Sequence, residues 1–233
     1  MNSINKTARM AGLFYLLYMI TTIAADVFGR SRLIVFGDAA ATAANITASA
    51  GLFRLGFVGD LVSVALFLLA AWALYVLLKP VDAGIALSFV LLNAAGSAVY
   101  AINLLNQLAA LLLLSGANYL QAFQPQQLQA LASFFIVLYE NGYWIAQIFF
   151  AAWLLPLGYL VYRSGFLPKA LGIIMMIHFV GWTLSFLRFF LFPGFAALTY
   201  VTYPLGFISE FGLTLWLLIK GAKASARLAA PAV

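Results

Sequence analysis

Polar residues in this chain do not alternate with apolar ones at the period of a soluble helix or strand. They collect in short interruptions between apolar runs of about twenty residues, each long enough to cross a hydrocarbon core of roughly 30 Å as an α-helix. Breakers and flanking charges place six helices at 10–28, 52–78, 84–114, 127–163, 168–190 and 200–220. Two connections are tight: "LKPVD" (78–82) and "RSGFLPK" (163–169) each combine a cation with proline. Pro168 suits the first turn of the fifth helix, where no N–H is needed. The longer connections, "GRSRLIVFGDAAATAANITAS" (29–49) and "SGANYLQAFQPQQLQ" (115–129), fall on the opposite side and have room for short interfacial helices. The expected fold is all-α: a polytopic membrane helical bundle of six transmembrane helices, forming a single transmembrane domain over residues 1–233.

Composition agrees with lipid as the main solvent, because 66% of residues are hydrophobic and 8% charged, against roughly 25% charged in a soluble domain. Membrane lipids are thus the first expected partner. The absence of cysteine excludes disulfides, thiolate catalysis and cysteine-ligated metals. A net charge of +6 does not point to nucleic acid, since the basic residues sit singly at segment ends. One side carries Lys6, Arg9, Lys79, Arg163, Lys169, Lys220, Lys223 and Arg227; the other carries Arg30, Arg32, Arg54 and Arg188. The richer side is the cytoplasmic one by the positive-inside rule, so both termini are expected in the cytoplasm. The first apolar segment is followed by "DVFGRSRLIV" rather than a small-residue cleavage site, so it reads as an anchor and not as a signal peptide. The tail "GAKASARLAAPAV" reads as a frayed end beside anionic lipid. "NIT" (45–47) is treated as a chance match to a glycosylation acceptor.

Several phrases occur in an order with a known counterpart: "KTARMAGLFYLLYMI", "GDAAATAANITAS", "FRLGFVGDL", "YVLLKPV", "LLNQLAALLLLSGANYLQAF", "SGFLPKALGI" and "LWLLIKGAK". Over nearly its whole length the chain resembles a bacterial integral-membrane family catalogued as domain of unknown function 4386. The resemblance implies a multi-pass helical bundle in the bacterial cytoplasmic (inner) membrane and carries no activity, cofactor or catalytic residue with it. Relatives often have small polar residues or histidine just before the position of Gly142. Here Glu140 and Asn141 stand there, so a role for these two would belong to this chain.

A helix rises about 1.5 Å per residue, so counting from each cytoplasmic boundary estimates depth. Glu210, His178 and Asn93 fall at roughly 14–15 Å, the middle of the membrane. Glu210 and His178 lie on consecutive antiparallel helices, where a direct hydrogen bond would lower the cost of burying either. Asp60, Arg188 and Asn103 share a height of roughly 28 Å, with Gln147, Tyr100 and Asn106 nearby, and Asp60 and Arg188 are the expected ion pair. Arg54 and Glu140 come out higher, at about 35 Å, as a second, partly hydrated pair. "RLGFVGDLV" (54–62) and "PLGFISEFG" (204–212) both put an acid after Leu-Gly-Phe, through duplication of a helical hairpin or through chance. Gly56, Gly206 and the "AAGSA" stretch (94–98) read as sites of close helix approach.

Polar residues in membrane helices often only join helices, and this reading suits Asn93, Ser97, Asn103, Asn106 and Gln147 taken singly. Ionisable residues at such depth tend to face a cavity or one another. The expected site is therefore a polar pocket open toward the outer leaflet, lined by Asp60, Arg188, Asn103, Asn106 and Gln147, with His178 and Glu210 at its floor. Its expected occupant is a small amphipathic or lipid-like ligand, with no cofactor and no metal, one histidine and two distant acids making a poor metal site. Two alternatives stand beside this reading. One is a membrane-embedded enzyme with Glu210, His178 and Asp60 as acid–base groups; the other is a proton-coupled transporter, against which the lack of a clearly broken helix argues. No serine elbow, zinc signature or phosphate loop occurs in the sequence.

Overall fold

Hydrocarbon offers backbone amides no partners, so apolar runs of this length must satisfy their hydrogen bonds internally as helices. The computed structural model describes residues 3–192 and 199–222, and among them every regular element is helical. The tail from Lys223 onward, Arg227 included, lies outside the described residues. In chain order the elements are α1 (Ser3–Gly29), α2 (Ala39–Ala48), α3 (Ala50–Leu78), α4 (Ala83–Leu113), a 3₁₀ turn at Asn118–Leu120, α5 (Pro125–Ala152), α6 (Leu154–Arg163), α7 (Lys169–Leu191), α8 (Thr199–Gly206), a π-helical turn at Phe207–Phe211, and α9 (Gly212–Ile219). Among the described residues six stretches are long and apolar enough to cross a membrane: Ile4–Gly29, Ala50–Leu78, Ala83–Leu113, Pro125–Arg163, Lys169–Leu191 and Thr202–Ile219. The two long connections hold α2 and the 3₁₀ turn, and Asp38 caps α2 by accepting a hydrogen bond from Ala41 N at 2.8 Å.

Two spans depart from the regular helices expected. The fourth loses a rung of its ladder between α5 and α6, although Trp153 keeps helical dihedrals and its N–H still reaches the Phe149 carbonyl at 3.0 Å. Pro156 explains the missing rung, since it has no N–H to give the carbonyl four residues back. The sixth span contains Pro204 inside α8 and then widens into the π-helical turn that carries Glu210.

The residues group into two compact units. The first draws on segments 1–17, 66–97 and 144–233. Within it α6 and α7 form a hairpin whose contact is made by glycines: a Cβ at Gly158 would lie 2.8 Å from the carbonyl oxygen of Gly172. Trp153 anchors its interior, edge-on to Phe67 at 4.8 Å and to Tyr15 at 5.9 Å between ring centroids. The second unit draws on segments 18–65 and 98–143. There the end of α1 crosses the start of α3 through Ala25, Gly29, Gly56 and Gly59, where a Cβ on Gly29 would lie 2.5 Å from the Gly56 Cα. Leu33, Ile46, Phe53, Ala110, Leu111, Ala132 and Ile136 form the hydrophobic cluster of this unit.

Candidate functional site

The close α1–α3 crossing brings the first residue beyond α1, Arg30, against α3. Arg30 and Asp60 are 6% and 0% exposed, and Arg30 Nη1 donates to Asp60 Oδ2. Gln107 Nε2 on α4 donates to the same oxygen at 3.2 Å, and Arg30 Nη2 pairs with Asp26 at 3.3 Å, one helical turn back along α1. The cation that Asp60 holds is thus Arg30, where depth counting nominated Arg188. Depth fixes height along the membrane normal but not the direction a side chain faces. Burial disfavours the charge on Arg30, but the oxygens of Tyr139 and the carboxylates of Asp60 and Asp26 outweigh that, holding its pKa above the ordinary arginine value.

Above this ion pair lies a cleft of about 300 Å³, lined by Thr22, Ile23, Asp26, Val27 and Arg30 from the α1 end and by Tyr100, Tyr139, Glu140 and Tyr143 from α4 and α5. Helical spacing explains the lining: Thr22, Asp26 and Arg30 recur every fourth residue, as do Tyr139 and Tyr143. The Tyr100 and Tyr139 hydroxyls meet at 3.0 Å, and the Arg30 guanidinium sits 5.6 Å from the centroid of the Tyr139 ring. Asn103 Nδ2 donates to the Tyr139 carbonyl at 2.8 Å and accepts through Oδ1 from Asn106 at 2.9 Å, which fixes the α4–α5 contact behind the tyrosines. Gly142 makes room for this, because a Cβ there would overlap the Asn103 side chain. Glu140 makes no hydrogen bond or ion pair with any described residue, and Arg54, its expected partner, is exposed and makes none either. Thr22 Oγ1 is enclosed without a hydrogen-bond partner.

The other unit holds a second polar cluster. His178 and Glu210 meet there, Nδ1 to Oε1 at 3.6 Å, slightly longer than a hydrogen bond. Ser209 Oγ takes the hydrogen bond to Nδ1 at 3.2 Å, and Tyr15 donates to Glu210 Oε2 at 2.5 Å. Consecutive residues of a regular helix point about 100° apart, but the widened turn lets Ser209 and Glu210 reach one imidazole nitrogen. Gly206 lies directly against the ring, where a Cβ would come within 2.9 Å of Nε2, and that nitrogen is buried without a hydrogen-bond partner. The Leu-Gly-Phe echo therefore leads to two different contacts: Gly56 meets a backbone, whereas Gly206 meets a histidine.

Of the seven expected site residues, Asp60, Asn103 and Asn106 belong to one unit, and Gln147, His178, Arg188 and Glu210 to the other. None of them lines the cleft; Asp60 and Asn103 instead hold Arg30 and Tyr139, which do. Gln147 is buried, and Arg188 keeps an enclosed Nε without a partner. Sequence reasoning passed over Asp26, Arg30, Thr22, Tyr139 and Tyr143. The visible signals were the i, i+4 spacing of Asp26 and Arg30 and the "YENGY" run at 139–143.

Residues 10–221 match the family model described as Domain of unknown function (DUF4386), and the chain belongs to that family. It is similar to an "Uncharacterized protein" of Archaeoglobus fulgidus, 31% identical over 178 residues that cover 75% of this chain and 88% of that protein. No solved structure matches the chain.

Proposed function

We propose that this member of the DUF4386 family is a multi-pass protein of the bacterial cytoplasmic membrane, with both termini in the cytoplasm, that binds a small amphipathic ligand in the cleft beside Arg30. The observation that carries the reading is the cleft itself: about 300 Å³, walled by three tyrosines and holding an unpaired carboxylate and an enclosed hydroxyl. That volume is at the small end of ligand sites, enough for a polar head with the first part of an apolar chain. The cleft lies at the α1 end remote from the cation-rich face, which supports an opening toward the outer leaflet. Asp60, Gln107, Asn103 and Asn106 act behind the wall as positioning residues.

A second reading is favoured by the π-helical turn, since such turns recur at functional sites. In it the Tyr15–Glu210–His178 cluster handles protons, as an acid–base enzyme or a coupled transporter would require. The test of the first reading is native mass spectrometry of the full chain released from its own membranes. A discrete adduct on the unaltered protein that disappears in a Thr22→Phe variant, whose ring fills the cleft, supports it. Adducts that are identical in both variants contradict it.

A further inference from the structure

We infer that the ligand of this cleft carries a positively charged nitrogen, an ammonium head; the inference rests on the binding reading above and specifies its chemistry. Three carboxylates, Asp26, Asp60 and Glu140, gather here around one guanidinium, Arg30, so the formal charges leave an excess of two negatives. The cation that would hold an anion is already paired with two carboxylates. Arg30 gives Nη1 to Asp60 and Nη2 to Asp26, and its Cζ sits 5.6 Å from the centroid of the Tyr139 ring. Glu140 lines the cleft and makes no ion pair there, Arg30 acting on it only through space. Glu140 is half-buried near the interface, and a cationic ligand would give its carboxylate the charge-assisted contact it lacks.

The walls suit the same charge. Tyr100 stands 6.4 Å from Tyr139 and 6.1 Å from Tyr143 between centroids, so three rings border the space in which Glu140 sits. Aromatic faces attract ammonium groups through their quadrupoles and repel anions. Thr22 adds an enclosed hydroxyl oxygen able to accept an N–H. Such a head could come from a phosphatidylethanolamine lipid or from a free amphiphilic amine, and both present the same ammonium to Glu140.

The experiment uses the full chain in maltoside micelles. Thermal midpoints are read against octylammonium, octanoate and octyl glucoside, and native mass spectrometry against added phosphatidylethanolamine or phosphatidylglycerol. The expected result is a saturable rise with octylammonium, retention of phosphatidylethanolamine, or both. Octanoate and phosphatidylglycerol give no response. Retention of the lipid alone assigns a membrane source for the head, and a response to octylammonium alone assigns a free amine. Glu140→Gln should weaken the response by about tenfold or more, the loss expected for one charge-assisted contact. Glu140→Asp should largely keep it, which separates lost charge from lost fold. Binding of octanoate or octyl glucoside that Thr22→Phe abolishes and Glu140→Gln leaves unchanged would overturn the cation assignment and keep the cleft. No response to any probe or lipid would remove the binding reading as well.

Discussion

Replacing Asp60 by leucine strips the buried guanidinium of Arg30 of its only fully enclosed counter-ion. Asp60 is 0% and Arg30 6% exposed, so the orphaned charge has little recourse to water. Breaking a buried pair from one side typically costs about 3–5 kcal/mol. Asp26 remains as a partner at 3.3 Å, but its side chain is 52% exposed and holds Arg30 weakly, which puts the expected loss near the lower end, about 3 kcal/mol. Arg30→Met leaves the Asp60 carboxyl buried with Gln107 and the Tyr100 hydroxyl as donors. That carboxyl can take up a proton, so this substitution costs less. The double variant removes both charges and should be no less stable than Asp60→Leu, since an apolar replacement of a buried pair is often neutral or stabilising. Equilibrium unfolding of the full chain in mixed micelles gives the four corners of the cycle, and a coupling of about 2 kcal/mol or more is expected. Strictly additive single costs, or an Asp60→Leu loss below about 1 kcal/mol, would refute the assignment of Arg30 as its partner.

Other substitutions test the remaining contacts. Gly206→Ala would place a Cβ 2.7 Å from His178 Cε1, so the ring must shift and the fold should lose about 1–3 kcal/mol, read as a lower thermal midpoint. Gly142→Ala should dislodge Asn103 from the Tyr139 carbonyl at a similar cost of about 1–3 kcal/mol, and it should also weaken ligand retention in the mass-spectrometric assay. Because the chain contains no cysteine, single cysteines introduced for labelling report topology directly. Ser115→Cys should react with an impermeant maleimide in intact cells, and Asp82→Cys only after the membrane is opened; the reverse pattern would invert the proposed orientation.

The spans were legible because hydropathy and proline-bearing turns act locally: 52–78 and 84–114 were expected where α3 runs Ala50–Leu78 and α4 runs Ala83–Leu113. The loosened rung beside Trp153 is not marked in the sequence beyond Pro156 itself, since proline inside an apolar run permits a kink without locating it. The residues around the cleft were harder to see. Asp60 was recognised as needing a cation, but Arg30 had been assigned to a loop as a topology marker. Only the contact of Gly29 with Gly56 brings it inward, and that is a property of two segments together. His178 and Glu210 could be paired in advance because both their height and their adjacency in the chain are local quantities. The turn that also brings Ser209 to the imidazole depends on packing and left no separate mark in the sequence.

The central claim is that the cleft beside Arg30 holds a ligand, and an experimental density map of the protein purified from its own membranes tests it most directly. The account predicts elongated density between Thr22, Glu140 and the rings of Tyr100, Tyr139 and Tyr143, with its polar end at Glu140. Tyrosine rings packed together across that space, with Glu140 turned out to the lipid headgroups, would contradict it.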